Sequence, residues 1–271
     1  MYTSTLTIDQ LRDPKEKKAA AWLTVFAVPV WLFVVLWVVG TLGLGLIFIG
    51  LFVLVTMIAE LFVVAYIKTN AVRVSERQLP EVYEAVRNAC ARLNIHEPDV
   101  YVLQQGIWNA LAMKIAGRRL VVLLSGAVDS ILLKGDMQQL AWLIGHEIGH
   151  HAAGHLDFWR RRVEMGGGMI WVYLWYQRRC ELTCDRIGLY CAGSLESSSL
   201  AVANMTVGAQ LASRVNIDEA IRQWNEHRHE FFVQYRTIYS SHPHTLWRLE
   251  EMRLAAKSFG MLETAWTPSQ V

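Results

Sequence analysis

The sequence predicts an α+β chain: a two-helix transmembrane hairpin, followed by a mainly helical domain with a small β-sheet. Three observations predict it. From Ala19 to Ala59 there are 41 consecutive residues without Asp, Glu, Lys, Arg or His. Beyond Lys68 the composition becomes that of a globular domain of roughly 200 residues, enough for one core. Within that domain apolar residues recur mostly at helical spacing, and the pattern changes to that of strands only between Val100 and Leu124. Hydrophobic residues make up 53% of the 271 and charged residues only 18%, where a soluble domain carries about 25% charge. With 26 basic and 24 acidic residues and no basic stripe, nucleic acid is excluded as a partner.

Residues 1–18 read as a cytoplasmic N-terminal segment, 19–67 as the hairpin and 68–271 as the globular domain. A single helix over the uncharged run would be about twice the ~30 Å hydrocarbon thickness. Three glycines in Gly40-Thr41-Leu42-Gly43-Leu44-Gly45 divide it into spans near Ala19–Val39 and Leu44–Ile67. Arg12, Lys15, Lys17 and Lys18 precede the first span, and Lys68, Arg73 and Arg77 follow the second. The positive-inside tendency then places both ends, and the domain, on the cytoplasmic side of the cell (inner) membrane. A cleaved signal peptide has an apolar core far shorter than this run. Glu60 reads as a carboxylate near the interface. Cys90, Cys180, Cys184 and Cys191 have no framework spacing and read as reduced thiols.

Pro80 to Asn94 opens with proline at a helical first turn and places Val82, Ala85, Val86, Ala89 and Leu93 on one face, which predicts an amphipathic helix. Val100–Leu103 and Leu120–Leu124 predict strands, with a third between Trp108 and Ile115. Asp136 with Gln139 three residues on predicts a capped helix running through Leu140, Leu143 and Ile144 toward Ala153. The uncharged stretch from Met165 to Gln177 is too short for a further span. Two readings stay open for it: an aromatic surface element against the bilayer, or a core helix packed on the Asp136-capped helix. From Ser199 onward further helices carry Trp224, Trp247 and Leu249 on apolar faces.

The capped helix carries His146-Glu147-Ile148-Gly149-His150, an HExxH pattern. Residues four apart share a helical face, so His146 and His150 can offer imidazole nitrogens to one tetrahedral ion. Glu147 lies beside them, where its carboxylate can take a proton from zinc-activated water and return it to a leaving amine. The rival is two surface histidines on a helix. A third ligand is needed. The metzincin arrangement would need histidine where Leu156 stands and glycine where Ala153 stands, and is excluded. His155, about 140° round a continuing helix from His150, reads as structural or surface. Glu181 and Asp185 are four apart on a second predicted helix, so one carboxylate can bind zinc while the other orients an imidazole; an ion-paired surface with Arg178 and Arg186 is the alternative. A thiolate site built on Cys180 and Cys184 is the weaker option.

With these motifs the chain resembles the HtpX and CAAX prenyl protease family of membrane-associated gluzincin metallopeptidases, over much of residues 80–255. The resemblance implies a zinc metalloendopeptidase with one Zn2+ per chain, held by His146, His150 and Glu181, with Asp185 orienting a ligand. It implies that Asn109 and Ala110 line the substrate cleft as an edge strand, which can hold an extended peptide by backbone hydrogen bonds. Leu111 stands where an aromatic is common. Ser241-His242-Pro243-His244, with Arg248 six residues after His242, resembles a late His-Pro segment; it implies that His242 stabilises the oxyanion and that Arg248 positions His242 or the developing charge. HtpX itself carries two further spans between the zinc motifs, and here they are missing. The expected substrates are unfolded or membrane polypeptides in protein quality control, with the lipid bilayer as second partner. The rival readings are a catalytically silent membrane adaptor, which the intact Glu147 argues against, and a CAAX-type processing protease, whose enclosed chamber two spans cannot build.

Overall fold

The computed structural model describes residues 6–104, 110–115, 117–165 and 170–261. After a single turn, α1 (Ile8–Leu11), come the two long apolar helices α2 (Glu16–Gly40) and α3 (Gly45–Asn70), joined by a turn in which Leu42 and Gly43 take positive φ. Both are long and apolar enough to cross a membrane. The first part of α2 is embedded: Ala19, Ala20 and Leu23 are buried against Tyr176 and Cys180. From Val28 onward its large side chains are mostly exposed, as are those of α3.

The second helix leads straight into a sheet. Strand β1 (Ala71–Arg73) begins where α3 ends, and α4 (Pro80–Leu93) follows. Its five expected core residues are all buried, and Asn94 ends it in the left-handed conformation. Strands β2 (Asp99–Leu103), β3 (Ala110–Ile115) and β4 (Arg118–Leu124) complete a four-stranded sheet of order β1-β2-β4-β3, parallel between β2 and β4 and antiparallel elsewhere. The apolar run of β4 is buried on both faces because successive side chains alternate. Val121 and Leu123 join the main core, whereas Leu120 and Val122 pack with Tyr101 and Ile67 at the foot of α3. Trp108 and Asn109, expected in the third strand, lie outside the described residues.

Helix α5 (Ser125–Lys134), absent from the sequence-based reading, precedes α6 (Met137–Ala152). Asp136 caps α6 by accepting hydrogen bonds from the backbone N–H groups of Gln138 and Gln139, and Gln139 Nε2 donates back to its carboxylate at 2.8 Å. Around α6 are packed α4, α8 (Ile170–Ala192), α9 (Leu195–Val207) and the sheet. The remaining helices are α7 (Phe158–Met165), α10 (Ala209–Ala212), α11 (Ile217–His227), α12 (Phe231–Tyr239) and α13 (Thr245–Ser258). The aromatic stretch of residues 170–177 opens α8. It packs on α2 through Tyr176, while Ile170 and Trp171 stay exposed. A core role against α6 therefore belongs to the second half of the helix. The segment before Ala19 is built into the domain: Leu11 is buried, Arg186 donates to the Leu11 carbonyl at 2.7 Å, and the backbone N–H of Asp13 donates to Thr183 Oγ1 at 2.9 Å.

Candidate metal centre

Two helices build the site, and glycines set how closely they approach. A Cβ on Gly145 of α6 would lie 3.1 Å from Gly188 Cα of α8 and 2.7 Å from Cys191 Cβ; one on Gly188 would lie 2.8 Å from the Trp142 carbonyl oxygen. Such distances leave no room for side chains, so the backbones can touch at this crossing only as glycines. The close approach carries the histidines of α6 onto the carboxylates of α8.

His146 Nε2 stands 3.4 Å from Glu181 Oε2, and His150 Nε2 stands 3.6 Å from Glu181 Oε1. The three donor atoms lie within 4.8 Å of one another. Ligands at about 2.0–2.1 Å from a tetrahedral ion are themselves roughly 3.4 Å apart, so two imidazoles and one carboxylate in this arrangement fit a zinc-sized cation. The residues expected from the HExxH and Glu181 spacing are thus brought together.

The charges suit a cation as well. Glu181 and Asp185 are both buried, and although burial works against ionisation, His146 and His150 around the first and Arg248 beside the second hold both carboxyls below their ordinary range. Burial pushes the other way on His146 too, but hydrogen bonds to Asp185 and Glu181 outweigh it and lift its pKa to about 10. This imidazole sits where positive charge is wanted. Burial lowers His150 to about 3, keeping it neutral as a ligand must be. Glu147 is raised to about 7, chiefly by burial.

Support behind the ligands is specific. Asp185 Oδ1 lies 3.0 Å from His146 Nδ1, the ring nitrogen opposite the one that faces Glu181. Arg248 grips the same carboxylate by two hydrogen bonds and lies over the Trp142 ring. Its remaining hydrogen bond goes to Met205 Sδ at 3.5 Å, so of its two expected roles it does not hold His242 by a hydrogen bond. Arg178 and Arg186 do not form the alternative ion-paired surface: Arg178 donates to the Ile238 and Ser240 carbonyls, and Arg186 to that of Leu11. His242 Nε2 reaches to 3.7 Å from Glu181 Oε1 with a side chain 66% exposed, so it stands at the mouth of the site. Cys180 and Cys184 are buried thiols whose pKa burial pushes far up.

His155 is buried, the structural of its two expected roles, but not on a continuing helix. The helix does not continue past Ala152; Gly154, at φ +75°, turns the chain back and buries His155 beside the site. Its Nδ1 is 3.3 Å from His150 Nδ1. The signal was a glycine just past the helix end, a left-handed terminator.

A cleft of about 300 Å³ opens on these groups, lined among others by Ala110, Leu111 and Ala112 of β3 and by Arg161, Glu164 and Tyr173. Strand β3 ends the sheet order, so one of its edges is not paired within the sheet. Ala110 lies there as expected; Asn109 is outside the described residues.

A family model described as Peptidase family M48 matches residues 76–161. This segment is similar to peptidase family M48. The chain is 27% identical over 169 residues to plastoglobule-localized metallopeptidase 48 of Arabidopsis thaliana, covering 57% of this chain and 48% of that protein. It is 31% identical over 118 residues to a protease HtpX homolog of Streptococcus gordonii, covering 42% and 38%. The matches therefore span about half or less of the length of these curated relatives. No solved structure matches the chain significantly. The M48 segment contains the two histidines, Glu147 and strand β3, and implies a metal cofactor. Glu181, Asp185, His242 and Arg248 lie beyond it and are joined to it by the geometry above.

Proposed function

We propose that the chain is a zinc metalloendopeptidase anchored in a membrane by the α2–α3 hairpin. One observation carries this reading: three donors at ligand spacing, with the buried carboxylate of Glu147 beside them in a cleft walled by an edge strand. When bound there, zinc would polarise the scissile carbonyl and lower the pKa of the attacking water toward about 7. His146, His150 and Glu181 hold the metal. Glu147 takes the proton of the attacking water and passes it to the leaving amine; its raised pKa, near neutrality, suits a group that must do both. His242 donates a hydrogen bond to the developing oxyanion. Asp185, fixed by Arg248, keeps the His146 ring oriented. An extended polypeptide lies along β3, the strand that ends the sheet order, held by backbone hydrogen bonds.

The apolar exteriors of α2 and α3 support the anchor, and basic residues at both feet support a cytoplasmic domain. Within the hairpin, Trp31 donates to the Arg162 carbonyl at 3.1 Å and Glu60 lies 3.7 Å from Arg161, so α7 stands alongside the apolar helices. A cleft beside an apolar hairpin suits unfolded or membrane polypeptides as substrates, in the manner of a quality-control protease. The test is cleavage of an unstructured reporter protein by the detergent-purified chain, before and after chelation and after zinc is returned. Activity lost to the chelator and restored by zinc is expected; cleavage that survives complete removal of the metal would contradict the reading.

A further inference from the structure

The second histidine of the HExxH pattern has support of its own, and it comes from the hairpin. With His150 Nε2 turned toward Glu181, its Nδ1 faces His155 Nδ1 at 3.3 Å. On the far side of that ring, His155 Nε2 lies 3.4 Å from Glu16 Oε1, within ion-pair reach though not aligned as a hydrogen bond. Glu16 is the first residue of α2 and is 2% exposed; His155 is 5% exposed. Arg12 donates to one oxygen of Glu16, and Thr183, two residues after Glu181 on α8, donates to the other.

Metal coordination would set the direction of every proton in this chain of contacts. A neutral imidazole binding through Nε2 carries its hydrogen on Nδ1. His150 Nδ1–H then donates to His155 Nδ1, which places the His155 hydrogen on Nε2, facing the Glu16 carboxylate. His146 has the corresponding support from Asp185 and Arg248, entirely within the domain. The two metal-binding histidines thus lean on different parts of the molecule.

We propose that His155 is a positioning residue for the metal ligand His150, and that Glu16 holds it, making the foot of the first apolar helix part of the outer support of the metal site. The proposal rests on the assignment of His146, His150 and Glu181 as the metal set. Neither Glu16 nor His155 touches substrate. In the alternative groupings around His155, with Cys180 or Cys184, the Glu16 carboxylate is already engaged by Arg12 and Thr183.

The experiment uses the full chain in detergent, as wild type, His155→Phe, Glu16→Ala, Glu16→Gln and His146→Ala. Zinc affinity is measured by competition with a chelator, and the ligand field by the visible spectrum of the cobalt-substituted protein; thermal unfolding of the metal-free chain reports folding. Loss of a hydrogen-bonding partner behind a ligand weakens metal binding by roughly 10–100-fold. That loss, with an altered cobalt spectrum, is expected in His155→Phe and Glu16→Ala. Glu16→Gln, which keeps an acceptor for His155 Nε2–H, should recover most of the affinity. Wild-type affinity and spectrum in folded His155→Phe would overturn the proposal. Should that variant fail to fold, equal affinities in Glu16→Ala and wild type would overturn it instead. If wild type and His146→Ala hold zinc equally, the metal set itself is wrong and the inference falls with it.

Discussion

Asp185 and Arg248, 63 residues apart, form a buried two-point pair: Arg248 Nε donates to Oδ2 at 2.8 Å and Nη2 to Oδ1 at 2.6 Å. The same Oδ1 faces His146 Nδ1 at 3.0 Å. A late helix, α13, thereby fixes the orientation of a ring on α6 through a carboxylate on α8.

Arg248→Met should therefore act on stability and metal together. It leaves a buried carboxylate without its cation, at a cost of about 3–5 kcal/mol, and loosens His146, weakening zinc by roughly 10–100-fold. Denaturant unfolding and chelator competition on the detergent-purified chain measure the two. A loss of stability under about 1 kcal/mol with unchanged zinc affinity would show that Asp185 does not need Arg248.

The helix crossing gives a second prediction. Gly188→Ala places a methyl 2.8 Å from the Trp142 carbonyl oxygen, a backbone atom that cannot swing aside. The helices must separate, at about 1–3 kcal/mol, and the distance from Glu181 to the histidines must grow. Lower thermal stability and reduced zinc content are expected; a variant as stable and as zinc-loaded as wild type would contradict the tight crossing.

His242 stands at the mouth of the site and is not one of the three donors. His242→Ala should lower kcat by about 10²–10³, the usual effect of losing one oxyanion donor, while leaving zinc content and KM close to wild type. A rise in KM alone, or loss of zinc, would assign it a different task.

Glu164, on the cleft wall, gives a pH signature. Burial lifts its pKa to about 7 against the pull of Arg160 and Arg161. A carboxyl raised in the folded state binds its proton more tightly there than in the unfolded chain. Its contribution to stability is thus neutral below about pH 4.5 and becomes a penalty as pH climbs to about 7, then stays level. Glu164→Gln should be more stable than wild type above pH 7 by about 1–3 kcal/mol and equal to it near pH 4. Unfolding curves at the two pH values read this directly; a difference independent of pH would contradict it.

Where local periodicity carried the information, the sequence was legible. Pro80–Leu93, the Asp136 cap and the HExxH face all follow from spacing within a few turns of helix, and the structure has them. Pairing Glu181 with Asp185 also followed from spacing, because both lie on one helix. What escaped depended on chain reversal or distant contact. His155 was placed by continuing a helix that Gly154 ends. The carboxylate partner of Arg248, Asp185, lies on another helix, and no local spacing points to it. Glu16 showed only as a charged residue ahead of an apolar run, since nothing local brings it to His155.

The most direct test of the central claim compares wild type with Glu147→Gln, both zinc-loaded, in a time course of reporter cleavage with metal content measured for each. About one zinc in both proteins, with cleavage by the wild type and nearly none by the variant, is the predicted result. Cleavage at a similar rate by zinc-loaded Glu147→Gln would contradict it, because the site would then work without its proton carrier.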